Sequence, residues 1–502
     1  MAITPGSLLN SVPSAVQQAT AGNYLDLNGS GGWGQQYVPD LMEKEAEVFG
    51  PRTISGFLSK VGAEESMTAD QVIWSEQGRL HLSYKGKIVT SDTAAGANPG
   101  SAATTKVTIE EDMDGLVKTT DHGVRVNDTV IIANAAGVHK CLVVTAAAGT
   151  ATIDVAPYGS ANIADSNGSL SCTILVYGSE YGKGTSYMTG GATQTQQESR
   201  GANEPSFKTF SNKPIIMKDY YEVSGSDASR IGWVEIASEE GASGYLWYLK
   251  AESDTRARFT DYLEMSMLEA EKNVADSVAD GSYTIPGSAA GAGNVGTEGL
   301  FSAIESRGNV TSGISGVNAA TDLAEFDAIL AEFDKQGAIE ENMMFVNRAS
   351  SLAIDDMLAS MNSYGAGGTS YGVFDNDEDM ALNLGFSGFR RGSYDFYKSD
   401  FRYLNDHATR GGINAANAAN AIRGVFVPAG TTSVYDQSLG KNLKRPFLHV
   451  RYRASQTDNR KMKTWTTGSV GATTSALDAM QIHMLTERCL VVQGANNFML
   501  MK

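Results

Sequence analysis

The sequence FTDYLEMSMLEAEKNVADSV, residues 259–278, decides the main features of this fold. Apolar side chains recur in it at helical spacing, and no proline occurs between Ile215 and Ile285. This pattern predicts an amphipathic α-helix. A helix from about Tyr245 to about Ala279 would extend roughly 50 Å at about 1.5 Å per residue, which would make it a spine for neighbouring elements. The apolar positions are Phe259, Tyr262, Leu263, Met267, Ala270, Val274 and Val278.

The chain that follows this helix alternates helical and strand patterns. Helices are predicted in TEGLFSAIESRG (297–308) and TDLAEFDAILAEFDKQG (321–337), and the apolar stripe of the second ends at Gly337. The strand EENMMFVNR (340–348) and the helix ASSLAIDDMLASM (349–361) come next. The order predicts an α/β lobe without regular βαβ repeats, which resembles no nucleotide-binding fold.

The chain before the spine helix has a different composition. Between Gly86 and Gly178 it is rich in Ala, Gly, Thr and Val, with strand candidates at roughly the ten-residue spacing of an all-β sandwich or barrel. We predict a small β domain inserted into the surrounding chain. The strand candidates are KVTIEE (106–111), GVRVNDTVIIAN (123–134), HKCLVVTAAAG (139–149), ATIDVAPYG (151–159) and LSCTILVYG (170–178).

Two tracts flank this insertion. QVIWSEQGRLHLSYKGKI (71–88) alternates apolar and polar residues around Gly78, which predicts a long hairpin, and the same tract is expected to resume after the insertion. Residues 180–215 are polar and rich in glycine, with few apolar anchors. Such a segment buries too little to fold alone, so we predict that another chain covers it.

Composition limits the classes of function. The 502 residues predict roughly two to four domains, and 42% hydrophobic with 19% charged residues is typical of a globular protein. Lys and Arg number 39 against 57 Asp and Glu, a net charge of −18 that disfavours nucleic-acid binding over the whole surface.

The cysteines and the absence of targeting signals indicate the compartment. The three cysteines, Cys141, Cys172 and Cys489, are widely spaced, which favours a reducing compartment over a disulfide framework or zinc site. Neither a secretion signal nor a membrane-length apolar run is present, so synthesis is expected to end in the cytosol.

The C-terminal region is rich in strand patterns and carries a local cluster of basic residues. The tracts RPFLHVRYRAS (445–455), KMKTWTTGS (461–469) and QIHMLTERCLVVQGANNFMLM (481–501) predict that the C-terminus lies in a sheet. We interpret the basic cluster as a surface that pairs with acidic tracts of neighbouring chains. Its members are Lys441, Lys444, Arg445, Arg451, Arg453, Arg460, Lys461 and Lys463.

Three motifs imitate functional sites. GTSYG places Ser370 in a G-x-S-x-G pattern, but the apolar strand that a nucleophile elbow needs is missing, so a flexible loop is the preferred interpretation. Gly29–Gly34 matches G-x-G-x-x-G without the βαβ unit that would hold a pyrophosphate. Asp375, Asp377 and Asp379 resemble the start of a calcium loop that lacks its glycine and its bidentate glutamate.

The histidines and the aromatic residues do not predict a metal site or a nucleic-acid site either. The histidines never occur at the i, i+4 spacing that puts two imidazoles on one helix face around a metal. An aromatic tract could stack on single-stranded nucleic acid, but packing within or between lobes is the preferred interpretation. The histidines are His81, His122, His139, His407, His449 and His483, and the aromatic tract comprises Phe389, Tyr394, Phe396, Tyr397, Phe401 and Tyr403 with Arg390 and Arg391.

Four tracts carry a resemblance to a known family. They are QVIWSEQGRLHLSYKG (71–86), TEGLFSAIESRG (297–308), MMFVNRASSLAIDDMLAS (343–360) and ERCLVVQGANNFMLM (487–501). They look like tracts in the major capsid proteins of crAss-like tailed phages. The order of parts along nearly the whole chain resembles the capsid fold of the Hong Kong 97 phage type.

The resemblance implies an α+β fold with the parts of a tailed-phage major capsid protein and an inserted small all-β domain. The implied parts are an N-terminal arm (1–50), an extended loop (51–85 and 179–215), the inserted β domain (86–178), a peripheral domain with the spine helix (216–296 and 441–502) and an axial domain (297–440).

The resemblance also implies the function. Identical copies would assemble as hexamers and pentamers into an icosahedral head around double-stranded DNA, with portal and auxiliary or decoration proteins as partners. Residues 235–280 hold eleven acidic and four basic residues, so a wall formed by them would repel DNA and leave only non-specific contact. Some relatives carry a helical scaffolding segment ahead of the arm; no charged coiled-coil run precedes residue 50 here, so a separate scaffold protein is expected.

The implied location is the virion, after assembly in the host cytoplasm and without a membrane. No catalytic, cofactor-binding or metal-binding residue is predicted, and the protein is not expected to be an enzyme. Two rival functions stay open. One is a β-rich surface adhesin, favoured by the composition of the insertion. The other is a serine hydrolase that would use Ser370.

Overall fold

The computed structural model describes most of the chain from residue 63 onward. The described residues are 63–77, 81–89, 104–113, 115, 117–119, 122–135, 137–146, 149–159, 163, 170–184, 207–226, 246–273, 296–337, 339–362, 388–429, 431–436, 441–469 and 474–502. The predicted arm, the Gly29–Gly34 motif, Ser370 and the three aspartates of the calcium-like loop lie outside these ranges.

The described residues form a mixed α+β protein, as predicted. The strands are β1 (Ala63–Met67), β2 (Val72–Gln77), β3 (Ser83–Val89), β4 (Thr105–Asp112), β5 (Asp128–Asn134), β6 (Gly137–Ala146), β7 (Thr152–Pro157), β8 (Leu170–Ser179), β9 (Phe207–Asn212), β10 (Ile215–Ser224), β11 (Asn309–Thr311), β12 (Glu341–Val346), β13 (Gly388–Arg391), β14 (Tyr394–Asp400), β15 (Gly424–Pro428), β16 (Thr431–Asp436), β17 (Lys441–Pro446), β18 (Leu448–Arg453), β19 (Lys463–Gly468), β20 (Ala479–Val492) and β21 (Met499–Met501). The α-helices are α1 (Leu246–Glu269), α2 (Leu300–Arg307), α3 (Ala319–Gln336), α4 (Arg348–Asn362), α5 (Arg402–Asn405) and α6 (Arg410–Ala416).

The chain divides into two compact units. One is Ser75–Thr209, and the other combines Met1–Trp74 with Phe210–Lys502. In the first unit β3, β4, β7, β6, β5 and β8 close into a barrel in that order. All five predicted strands of the insertion are confirmed. Strand β3, which the sequence placed in a hairpin, supplies the sixth.

Alternation of side chains builds the barrel interior. Val107, Ile109, Val130 and Ile174 are fully buried there, as expected when alternate residues of each strand face a closed core. Gly86 lies where the register of β3 against β4 shifts, and a Cβ at this position would collide with the backbone of β4. Glycine is therefore required at this position of β3.

The predicted hairpin across Gly78 is wrong. Strand β2 pairs with β9, whereas β3 pairs with β4 and β8 inside the barrel. Period-two alternation predicts a strand but says nothing about which partner it takes. After the barrel strands the chain returns in β9, which pairs with β2.

In the second unit a five-stranded sheet has the order β1, β18, β20 and β10, with β19 also paired to β20. Helix α1 packs against β10 and β20 and buries Phe259, Leu263 and Met267, which are three of the predicted apolar positions. The proline-free, periodic sequence explains this helix, and tertiary packing rather than propensity stabilises it.

The predicted length of this helix is wrong at its C-terminal end. It ends at Glu269 instead of continuing to about residue 279. The backbone N–H of Gly299 donates to the carbonyl of Ala270 at 2.8 Å, and Lys272 forms a β-bridge with Gly296. The returning chain thus occupies the space in which the next helical turn would lie.

A six-stranded sheet in the same unit has the order β11, β21, β15, β12, β14 and β13. Alternate residues of its central strands enter two different cores: Val425 and Leu500 face one, and Phe426 and Met499 face the other. Helix α2 covers the first core, and α3 and α4 cover the second. The prediction that the C-terminus lies in a sheet is confirmed by β21.

Helix α3 follows its sequence signals closely. Asn318 caps the N-terminus by accepting a hydrogen bond from the backbone N–H of Thr321 at 2.9 Å. Phe326 and Phe333 of the predicted stripe are fully buried, and Gly337 ends the helix with a left-handed φ of 68°.

Candidate functional site: the anchors of an extended ribbon

Strands β2 and β9 form a two-stranded ribbon that belongs to neither large sheet. Isolated two-stranded ribbons are marginally stable in water, so this one needs anchors. Trp74 of β2 is buried, and its ring lies 6.2 Å from the ring of Phe210 in β9. The pair marks the end of the ribbon that joins the second unit, hereafter the ribbon base.

Arg307, the last residue of α2, packs against the ribbon base. Its guanidinium carbon lies 4.5 Å from the ring centroid of Phe210 and 5.6 Å from that of Trp74. Its Nη2 donates to Glu298 Oε2 at 2.7 Å, and both side chains are largely buried. A cation over two aromatic rings, held by a charge-assisted hydrogen bond, fixes the ribbon base against α2.

Asn212 ends β9 and is completely buried. Its side-chain amide donates to the carbonyls of Leu490 at 2.7 Å and Glu298 at 3.0 Å. Its Oδ1 accepts from the backbone N–H groups of Glu298 and Lys213, both at 2.9 Å, and from the Thr297 hydroxyl at 3.2 Å. One side chain therefore ties β9 to β20 and to the segment before α2.

The chain that leads into β2 is also anchored. Strand β1 runs parallel to β18 at the edge of the five-stranded sheet. Glu64 pairs with Lys461 and, at 3.4 Å, with Arg488, while Glu65 pairs with Arg451 at 2.8 Å. Burial lowers the pKa of the Arg488 guanidinium, and the nearby carboxylate of Glu64 opposes that shift.

These ion pairs revise the interpretation of the predicted basic cluster. Arg453 lies 3.3 Å and Arg460 2.7 Å from the buried carboxylate of Glu487, and Lys463 lies 2.7 Å from Asp458. Together with Arg451 and Lys461, these side chains have acidic partners inside this chain. Their assignment to neighbouring chains is wrong, because folding already brings acidic side chains of β1, of β20 and of the segment between β18 and β19 to them.

Replacing Arg307 with lysine tests the ribbon base. The charge stays, but the planar group that covers two rings is lost, so we expect about 1 kcal/mol less stability. Urea unfolding followed by circular dichroism would measure this loss. Arg256→Lys is the matched control, since its pair with Glu252 is exposed and should contribute little. Equal losses of stability in both variants would contradict a stabilising role of the Arg307 guanidinium at the ribbon base.

Five of the six rings of the aromatic tract are packed as the preferred interpretation predicted, whereas Tyr397 is half exposed. Phe389, Tyr394 and Phe396 are buried against α3, and Phe401 and Tyr403 lie in the other core. Burial, and then a hydrogen bond to Asp334, raises the pKa of Tyr394 to about 12. These rings are unavailable for stacking on nucleic acid.

The histidines show no metal-binding arrangement. His122 contacts the Thr150 carbonyl, and His483 lies between the rings of Tyr220 and Trp465, 5.9 and 5.2 Å away. Within the described ranges no three His, Cys, Asp or Glu side chains are grouped as a metal site requires. In that same portion of the chain, no helix combines the length and apolarity needed to cross a membrane.

The sequence alone did not predict that four residues lie together at the ribbon base: Trp74, Phe210, Asn212 and Arg307. Asn212 and Arg307 are 95 residues apart in the numbering of the chain. The only local signal is the break between two strand patterns at Asn212, where Pro214 interrupts the alternation. That signal marks a strand end but identifies no partner.

The described residues thus define a mixed α+β protein that holds an extended ribbon through buried anchors. No family model and no curated protein sequence matches the chain. Among solved structures, it is similar to one of Microbacterium phage Oxtober96, with 9% identity over 92% of this chain and 95% of that one and a TM-score of 0.35. It is also similar to the capsid of a native GTA particle, with 10% identity over 95% and 98% and a TM-score of 0.34.

A third similar structure is the mature capsid of bacteriophage PhiM1, with 11% identity over 62% of this chain and 77% of that one and a TM-score of 0.29. TM-scores this low do not establish a shared fold, and identities this low do not establish a shared function.

Proposed function

We propose that this chain is a major capsid protein of a tailed phage, of the crAss-like type. Identical copies assemble as hexamers and pentamers into an icosahedral head that encloses double-stranded DNA. The observation that carries the proposal is the β2–β9 ribbon, which lies outside both sheets yet is fixed at its base by Arg307 and Asn212. A fold that positions an extended ribbon so firmly is suited to laying it over another subunit.

The energetics favour assembly over a free monomer. The sequence that continues the ribbon, residues 180–206, is polar and rich in glycine, so it offers few apolar side chains whose burial could offset the chain entropy lost on ordering. Contact with identical copies offsets that cost, and obligate interfaces bury roughly 2,000 to 5,000 Å². The buried base reduces the ordering cost further, because part of the ribbon is already fixed before contact.

The remaining parts fit the same proposal. Helix α1 on the five-stranded sheet corresponds to a spine helix in the peripheral domain (216–296 and 441–502), and the six-stranded sheet with α3 and α4 corresponds to the axial domain (297–440). The barrel strands, Ser83 to Ser179, correspond to the inserted domain placed at 86–178. These domain assignments, together with the arm (1–50) and the loop (51–85 and 179–215), are part of the proposal.

The negative net charge of the chain favours a shell that binds the packaged DNA only weakly. With a net charge of −18, the protein would repel DNA at most surfaces and allow the genome to move during packaging. Portal, auxiliary and separate scaffold proteins are proposed partners, assembly takes place in the host cytoplasm, and the finished location is the virion. We propose no enzymatic activity; ester turnover that Ser370→Ala abolishes would contradict this.

The test is assembly of the purified chain. Negative-stain images across a concentration series should show closed shells, or free hexamers and pentamers, where an adhesin would remain monomeric. Asn212→Asp should lower the assembled fraction, whereas Asn459→Asp, at an exposed position, should assemble like the original chain. A rigid monomer at every concentration would overturn the proposal.

A further inference from the structure

The outer surface of the barrel has two unlike halves. On β3 and β4 it carries ion pairs, between Lys85 and Glu111 at 3.3 Å and between Lys87 and Glu110 at 2.6 Å. On β5, β6 and β8 the residues that alternate with the buried core are largely apolar. This second half, hereafter the apolar barrel face, comprises these strands' Ile131, Val138, Leu142, Leu175 and Tyr177, and Tyr158 just after β7.

Strand register brings the side chains of the apolar barrel face together. Leu175 of β8 pairs with Ile131 of β5, and Ile131 pairs with Lys140 of β6. The backbone N–H of Tyr158 donates to the carbonyl of Lys140 at 2.9 Å, which continues the same row onto the next strand. Side chains paired in this way lie about 5 Å apart at their Cβ atoms, so the face is continuous over four strands.

The barrel does not need this face for its own core, because a closed barrel buries its apolar side chains inside. Within the whole chain, Val138 is nevertheless 69% and Leu175 39% exposed, and Tyr158 and Tyr177 are half exposed. With roughly 150 to 250 Å² for each aromatic side chain and less for the others, about 400 Å² of apolar surface is uncovered. Patches of this size often mark interaction sites.

We propose that the apolar barrel face is a contact between subunits, in which it packs on the same face of a second copy across a two-fold axis. The inference rests on the proposed function, since it names one interface of the shell. Each chain carries a charge of −18, so copies repel one another wherever acidic surfaces meet. Within β5, β6 and β8 the one exposed charged residue is Lys140, so two such faces can meet with little repulsion.

The area of the face limits what the contact can do alone. Two copies face to face would bury roughly 800 Å² of apolar surface, less than the 1,200 Å² or so at which stable interfaces begin. The contact should therefore form only where other interfaces of the shell already hold two copies close together. It should be present in assembled particles and absent from free subunits.

The first test compares two double variants that are matched in exposure and in charge. Val138→Glu with Leu175→Glu puts carboxylates on the apolar barrel face. The control, Val117→Glu with Val89→Glu, makes the same change at 69% and 38% exposed positions beside the charged half. Sedimentation should show that the first variant needs about tenfold or more protein to assemble, while the control assembles like the original chain. Raising salt to about 1 M should remove part of that difference by screening the repulsion.

The second test identifies the partner by cross-linking. The natural cysteines Cys141, Cys172 and Cys489 are buried, so Val138→Cys or Tyr177→Cys supplies an exposed thiol. In shells assembled from the purified chain, a short bifunctional maleimide should join two chains through these positions. Val117→Cys, which lies outside the face, should stay unlinked, as should all three variants in dissociated subunits.

The outcomes separate the inference from the proposed function. Equal assembly of the two double variants, or an equal loss in both, would overturn the inference. So would shells in which neither Val138→Cys nor Tyr177→Cys links two chains, or particles in which these thiols link only to a protein of different mass. Failure of the original chain to assemble would instead overturn the proposed function.

Discussion

Replacing Asn212 with aspartate is expected to lower the free energy of unfolding by about 3–5 kcal/mol. The substitution keeps the shape of the side chain but removes its two N–H donors. A carboxylate oxygen would then face the carbonyls of Leu490 and Glu298, which now accept from the amide at 2.7 and 3.0 Å. With the position completely buried, water cannot compensate for the lost donors. Urea denaturation of the unassembled subunit would measure the loss.

The pH dependence of this loss has a definite sign. Burial beside two carbonyl oxygens favours the neutral acid, so the introduced carboxyl has a higher pKa in the folded than in the unfolded state. The defect should be smallest below about pH 4 and grow as pH rises, because the unfolded state then ionises first.

The matched control is Asn459→Asp. Its side chain is exposed and accepts a hydrogen bond from the backbone N–H of Lys461 at 3.0 Å, which a carboxylate can still accept. We expect a change within about 0.5 kcal/mol. A comparable loss at both positions, or a loss at Asn212 that is independent of pH, would show that its two donated hydrogen bonds do not anchor the ribbon.

Local signals predicted much of the fold. The α3 stripe and its stop at Gly337 both depend on residues within one helix. The five predicted barrel strands likewise follow from alternation and turns. In each case the interactions that decide the structure lie a few residues apart, where a sequence pattern can express them.

Pairings between distant segments were not predictable in the same way. Alternation in residues 71–88 indicated strands correctly, but β2 takes its partner, β9, from a distant part of the sequence. The end of α1 at Glu269 depends on where Gly299 returns. The internal partners of the basic cluster depend on β1 lying beside β18. Each outcome is set by tertiary packing that overrides a local pattern.

The second large effect is expected for Lys398→Met, which breaks a buried ion pair between β14 and α4. The side chains of Lys398 and Asp355 are only 6% and 11% exposed, and Lys398 Nζ also donates to the Ser351 carbonyl at 3.3 Å. Removing the cation takes the ammonium partner away from a largely buried carboxylate, so we expect a loss of about 3–5 kcal/mol in urea unfolding. Lys335→Met is the control, because its pair with Glu332 is exposed and should contribute less than about 1 kcal/mol.

The double variant decides what this pair contributes. If the cost of Lys398→Met comes from an uncompensated charge, adding Asp355→Leu should recover most of the stability, because two apolar side chains of similar volume replace two buried ions. The recovered part measures the cost of burying the Asp355 carboxylate without the Lys398 ammonium, rather than the strength of the original pair. A double variant as unstable as Lys398→Met alone would contradict this explanation. That result would indicate that the contact between Lys398 and Asp355 is itself needed to pack α4 on the six-stranded sheet.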